Sequence, residues 1–86
     1  MISRTRATFW ACFDGLPRQI QKLARVKFSL WREEPFHTSL QFKETRPGLW
    51  SVRINDQYRA LARRKDDLVV WFWIGIHAEY DRLMKG

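Results

Sequence analysis

"WSVRINDQYRALAR", residues 50–63, reads as two short strands around a turn, with Arg53, Arg59 and Arg63 set among apolar neighbours. Side chains alternate along a strand, so the length of the turn decides which residues share a face. A two-residue turn at Asn55 and Asp56 would put Arg59 and Arg63 on the face of Trp50, Val52 and Ile54, and two arginines would enter the core. A three-residue turn over 55–57 instead pairs Ile54 with Tyr58, Arg53 with Arg59, Val52 with Ala60 and Trp50 with Ala62. One face is then apolar throughout, and the other carries Ser51, Arg53, Arg59, Leu61 and Arg63. Burying unpaired charge costs far more than an irregular turn, so the spacing predicts the odd-length turn.

That register sets two arginines directly opposite each other, which weakens a strand pair unless an anion sits between them. A phosphate is the obvious anion. The alternative is that each guanidinium is solvated or pairs with a carboxylate such as Glu44 or Asp56.

Working outward, residues 3–14 place Phe9, Trp10, Phe13 and Leu16 at helical spacing and finish on Gly15. Pro17 suits the first position of a second helix, whose apolar face is Ile20, Leu23, Ala24, Phe28 and Trp31 and which Pro35 stops. The connection is tight, so the two helices form an antiparallel hairpin. After "EEPFHTS" (33–39) the period changes: Leu40 and Phe42 alternate with Gln41 and Lys43 in a half-buried strand that turns Lys43 away from the core. "RPG" (46–48) breaks the chain, and strands follow at about 49–54, 58–63 and 68–74. The ending "HAEYDRLMKG" (77–86) has room for about one helical turn. The expected class is therefore α+β, a single domain over residues 1–86 in which a helical hairpin covers one face of an antiparallel sheet and leaves the other free.

With 86 residues the chain can enclose one core, and 45% hydrophobic residues with five tryptophans supply it amply. The formal charge of +7 favours an anionic partner: nucleic acid, an acidic protein or a membrane surface. The longest uncharged run, "LVVWFWIGIH" (68–77), is too short to span a bilayer, and no signal-peptide pattern opens the chain, so a cytoplasmic protein is expected. Cys12 is the lone cysteine and reads as a small core residue, while His37 and His77 stand far apart; neither a disulfide nor a closed metal site is expected, and no cofactor.

The strand from Leu68 runs back past Arg59, so its end should deliver Gly75 and His77 to the end of the hairpin that holds Arg53 and Arg59. A lone histidine after a strand often serves only as a cap, but here it converges with Lys43, both arginines and Tyr80. Cutting RNA without a metal requires activation of the ribose 2′-OH, neutralisation of charge on the phosphorane and protonation of the leaving 5′ oxygen. Arg53, Arg59 and Lys43 suit the non-bridging oxygens, and His77 suits the proton transfers. Tyr80 could share that role or stack on a base, with Arg46, Ser51 and Arg63 as further RNA contacts.

"GLWSVRINDQYRALA" (48–62), followed by an apolar strand and "WIGIHAEYDRL" (73–83), resembles the RelE/ParE superfamily of bacterial toxins from toxin–antitoxin pairs. The resemblance spans nearly the whole chain. It implies two helices on an antiparallel sheet, a cognate antitoxin as partner and, for the RelE-like branch, an endoribonuclease that cuts mRNA in the ribosomal A site and stops translation. The chain is similar to those enzymes at Arg59, Arg53 and Lys43, and His77 falls where a basic or histidine side chain acts in several members. The N-terminal strand common in the family is expected to shrink here to about Met1 and Ile2, and the C-terminal tail is brief. ParE-like members share the fold but target DNA gyrase, so a gyrase inhibitor and a non-catalytic nucleic-acid-binding domain stand as alternatives.

Overall fold

The computed structural model describes residues 1–85. In chain order it contains β1 (Ile2–Thr5), α1 (Ala7–Asp14), α2 (Arg18–Glu33), a 3-10 turn (Thr38–Leu40), β2 (Lys43–Arg46), β3 (Leu49–Arg53), β4 (Tyr58–Lys65), β5 (Leu68–Ile76) and α3 (His77–Lys85). The five strands form one sheet in the order β1-β5-β4-β3-β2. The α+β class and the helical hairpin on one face are as the sequence implied.

The hairpin register follows the pattern of charge. Arg53 lies opposite Arg59, Val52 opposite Ala60 and Trp50 opposite Ala62. Ile54 N–H donates to Tyr58 O at 3.0 Å and closes a turn over 55–57, where Asn55 Oδ1 accepts from the N–H groups of Gln57 and Tyr58 at 2.8 and 2.9 Å. The apolar face is the core: Val52, Ile54, Ala60, Ala62, Trp71 and Ile74 are buried against Phe9, Phe13, Ala24 and Trp31 from the helices. Edge-to-face aromatic contacts knit these layers, with Phe28 on Trp71 at 4.8 Å and Trp31 on Trp71 at 5.2 Å. Cys12 packs, half-buried, against the same cluster.

Five expectations need correction. Residues 3–6 are not helical: residues 3–5 belong to β1, which runs parallel to β5 and pairs Ile2 with Leu68 through Thr5 with Trp71, and Arg6 precedes α1 as its N-cap. Without β1 the strand β5 would be the edge of the sheet, and β1 supplies the backbone partners of its outer side; the sheet is mixed rather than antiparallel. Leu40 is not in a strand. His37 Nδ1 accepts from Ser39 N–H at 3.2 Å, the 3-10 turn follows, and Gln41 takes a left-handed φ of 45°. Leu40 and Phe42 still both reach the core, because the chain turns at Gln41 rather than alternating through it. The C-terminal helix spans nine residues, not about one turn. Finally, the second face of the sheet is partly covered by α3, which lies over β4 and β5, and Ser51 and Leu61 are buried there.

Candidate active site

β3 and β4 carry Ser51, Arg53 and Arg59 to one face because of the odd turn between them. β2 is paired so that Lys43 lies opposite Ser51 and joins that face. β5 sets Gly75 beside Arg59 and Ile76 beside Tyr58, and the chain then enters α3 at His77, whose backbone N–H donates to Gln57 O at 2.6 Å. The turn that sets the arginine register therefore also anchors the start of α3. Together these elements enclose a cavity of about 100 Å³ lined by Gln41, Lys43, Ser51, Arg53, Arg59, His77 and Tyr80.

The opposed arginines are held apart by different partners. Arg53 forms an ion pair with Asp56 in the turn, so the carboxylate alternative is realised for that side chain. Arg59 has no carboxylate within ion-pairing distance among the described residues; one of its terminal nitrogens donates to Asn55 O and Tyr58 O, the latter at 3.0 Å. Glu44 is engaged elsewhere, accepting from Gly48 N–H at 2.8 Å. The Arg59 guanidinium is held below the usual arginine value, first because it is drawn partly out of water and next because Arg53 stands beside it; Tyr80, Asp56 and Asp81 act in the opposite direction. Arg59 stays charged at neutral pH. It is a cation with carbonyl dipoles but no anion of its own.

The His77 ring stacks on Tyr80 with centroids 5.5 Å apart and 22° between planes. Its Nε2 lies 3.4 Å from Asp81 Oδ2, one helical turn on, while Nδ1 is buried and has no hydrogen-bond partner. An Nε2–H directed at Asp81 leaves the lone pair on Nδ1. An unpartnered buried acceptor is costly in an empty protein and becomes satisfied when a donor hydroxyl arrives. The N-terminal end of α3 adds the positive end of a helix dipole beside the cavity.

Six of the eight residues singled out in the sequence line this cavity. Arg46 and Arg63 do not: both are exposed, and Arg63 lies with its guanidinium 5.6 Å from the Phe72 ring. Three contributors escaped the sequence. Asp81 had a signal in its i,i+4 spacing from His77 once a helix is granted there. Asn55 had one in its turn chemistry. Gln41 had none, since only its left-handed backbone brings it to the rim. Among the described residues no cluster of side chains has the make-up of a metal site, and no helix is long and apolar enough to cross a membrane.

A two-helix hairpin on a five-stranded sheet is the fold of the RelE/ParE-like class. Solved structures agree. The RelB–RelE antitoxin–toxin complex from Methanococcus jannaschii matches at a TM-score of 0.73 and 14% identity, over 92% of this chain and 96% of that one. The YoeB/ParE toxin from Agrobacterium tumefaciens matches at 0.69 and 14%, over 90% and 99%. The RelBE2 toxin–antitoxin complex from Mycobacterium tuberculosis matches at 0.65 and 26%, over 88% and 96%. The family model of the ParE-like toxin domain matches residues 18–82, and the chain belongs to that family. No curated protein matches it in sequence.

Proposed function

We propose that the protein is the toxin of a toxin–antitoxin pair and acts as a metal-independent endoribonuclease, cutting mRNA in the ribosomal A site. The observation that carries this reading is the convergence of an unpartnered imidazole nitrogen with three cations around one small cavity. The scissile phosphate sits between Arg59 and Arg53, with Lys43 on a second non-bridging oxygen. Arg53 exchanges part of its contact with Asp56 for the phosphate. Charge-assisted hydrogen bonds of this kind act most strongly on the extra negative charge of the phosphorane. His77 Nδ1 accepts the 2′-OH proton as the hydroxyl oxygen attacks phosphorus, the bond to the 5′ oxygen breaks, and the leaving 5′ oxygen takes its proton from water. That nitrogen is buried in the free protein, so substrate binding must open it, and Tyr80 beside it in the cavity lining offers its ring to a neighbouring base. Asp81 holds the imidazole from its other nitrogen. Complexes with RelB among the matching structures support a cognate antitoxin as partner, and the charge of +7 suits an acidic one.

The test is cleavage of mRNA in programmed ribosomes by purified wild-type protein and by His77→Ala. Cutting by the wild type that disappears in the folded variant supports the reading; no cutting by the wild type, or equal cutting by both, contradicts it. A second reading, inhibition of DNA gyrase, is favoured by the ParE-like description of the matching family. Gyrase supercoiling assayed with the same protein separates the two, since a gyrase inhibitor has no use for an acid or base in this cavity.

A further inference from the structure

The face of the sheet that carries the cavity continues towards its other end. Cross-strand pairing sets one row over all five strands: Arg46 beside Leu49, Leu49 beside Arg63, Arg63 beside Val70 and Val70 beside Arg4. Neighbouring strands lie about 4.8 Å apart, so a guanidinium recurs roughly every 10 Å along that row. Where the row meets the start of α1, a groove of about 350 Å³ is lined by Arg6, Thr8, Arg63, Val70 and Phe72. A second hollow of about 250 Å³ shares Arg63 and Val70 with it and continues to Lys65.

Phe72 reaches this groove through an irregularity. Leu61 pairs with Trp73 and Ala62 with Trp71, so Phe72 is the extra residue of a bulge. Bulges re-aim side chains. Thr8 Oγ1–H donates to Phe72 O at 2.9 Å and pins the bulge, and the Arg63 guanidinium stacks over the ring at 5.6 Å. Among the described residues none of Arg4, Arg6, Arg46 and Arg63 has a carboxylate within 4 Å. The nearby acids are occupied or peripheral: Glu44 caps Gly48 N–H, Asp67 meets the Met1 ammonium at 3.7 Å, and Asp66 lies in the exposed turn after Lys65.

We propose that this groove is a second RNA site, holding a single-stranded segment that flanks the cut position, with a base stacked on Phe72 and its phosphates on Arg6 and Arg63. An aromatic platform between unpaired cations is the chemistry that binds single strands without reading sequence. The site deepens the ribonuclease reading and rests on it for the identity of the strand. Arg59 and Arg63 stand four residues apart on β4, about 13 Å, so one extended strand can occupy cavity and groove together.

The test is equilibrium binding of unstructured RNA made uncleavable by 2′-deoxy substitution, at lengths of about three and about twelve nucleotides. Wild-type protein should prefer the longer strand at least about tenfold, and Arg6→Gln/Phe72→Leu should erase that preference, with a shallower salt dependence. Equal length preference in the folded double variant overturns the groove, even if cleavage stands. Length preference lost in the variant while wild type cuts no RNA keeps the groove and removes the ribonuclease. Should the double variant not fold, photo-crosslinking of thiouridine RNA to wild-type protein decides: adducts at Phe72 or its neighbours on β5 support the site, and adducts confined to the first cavity overturn it.

Discussion

We propose the proton-transfer role for His77 because its Nδ1 is buried at the cavity without a hydrogen-bond partner among the described residues. His77→Ala should leave the fold unchanged and slow cleavage by roughly 10²- to 10⁴-fold, measured alongside circular dichroism of the same sample. Full cutting by a folded variant would return His77 to a helix-capping residue. Arg59 differs in that its charge is a liability in the free protein. Its protonated form is less favourable folded than unfolded, so the unfolded chain holds the proton more tightly. Both states are protonated at neutral pH, so this cost is constant there and disappears only as pH rises into the range where arginine titrates. Arg59→Leu removes that cost along with two donations to carbonyl oxygens. The expected result is a change in unfolding free energy within about 1 kcal/mol, with cleavage abolished. A drop well beyond that in denaturant unfolding would make Arg59 a structural residue.

At the scale of elements, the turn between β3 and β4 controls the site, because it fixes the arginine register and receives the first N–H of α3. Asn55→Ala removes the acceptor of two backbone N–H groups. It should cost about 1 kcal/mol, read as a fall in Tm of roughly 4–8 °C, and lower cleavage as well, whereas His77→Ala lowers cleavage alone. This turn was legible in the sequence for a physical reason: one of two registers buried two arginines, and burial of charge discriminates sharply. Nothing of that kind marked β1. Its four residues pair with a strand more than sixty positions away, and a short segment before a helix carries no period of its own. β5 is apolar on both faces, so neither its register nor the bulge at Phe72 could be read from pattern. The extent of α3 was hidden too, since it buries no residue and so has no core face to mark its length.

For the whole molecule, the +7 charge and the arginine row imply that binding to RNA or ribosomes weakens steeply with salt, because each phosphate contact releases condensed cations. Affinity that is flat between low and moderate ionic strength would remove the electrostatic basis of the site. The function proposed for the molecule depends on cleavage of RNA in the cavity that joins His77 to Arg53, Arg59 and Lys43. It is tested most directly by expressing the wild-type chain and His77→Ala separately and mapping the 5′ ends of cellular mRNA. New ends within translated frames in the wild type, absent with the folded variant, are the predicted result; intact mRNA accompanied by DNA damage, or the same ends with both chains, would contradict it.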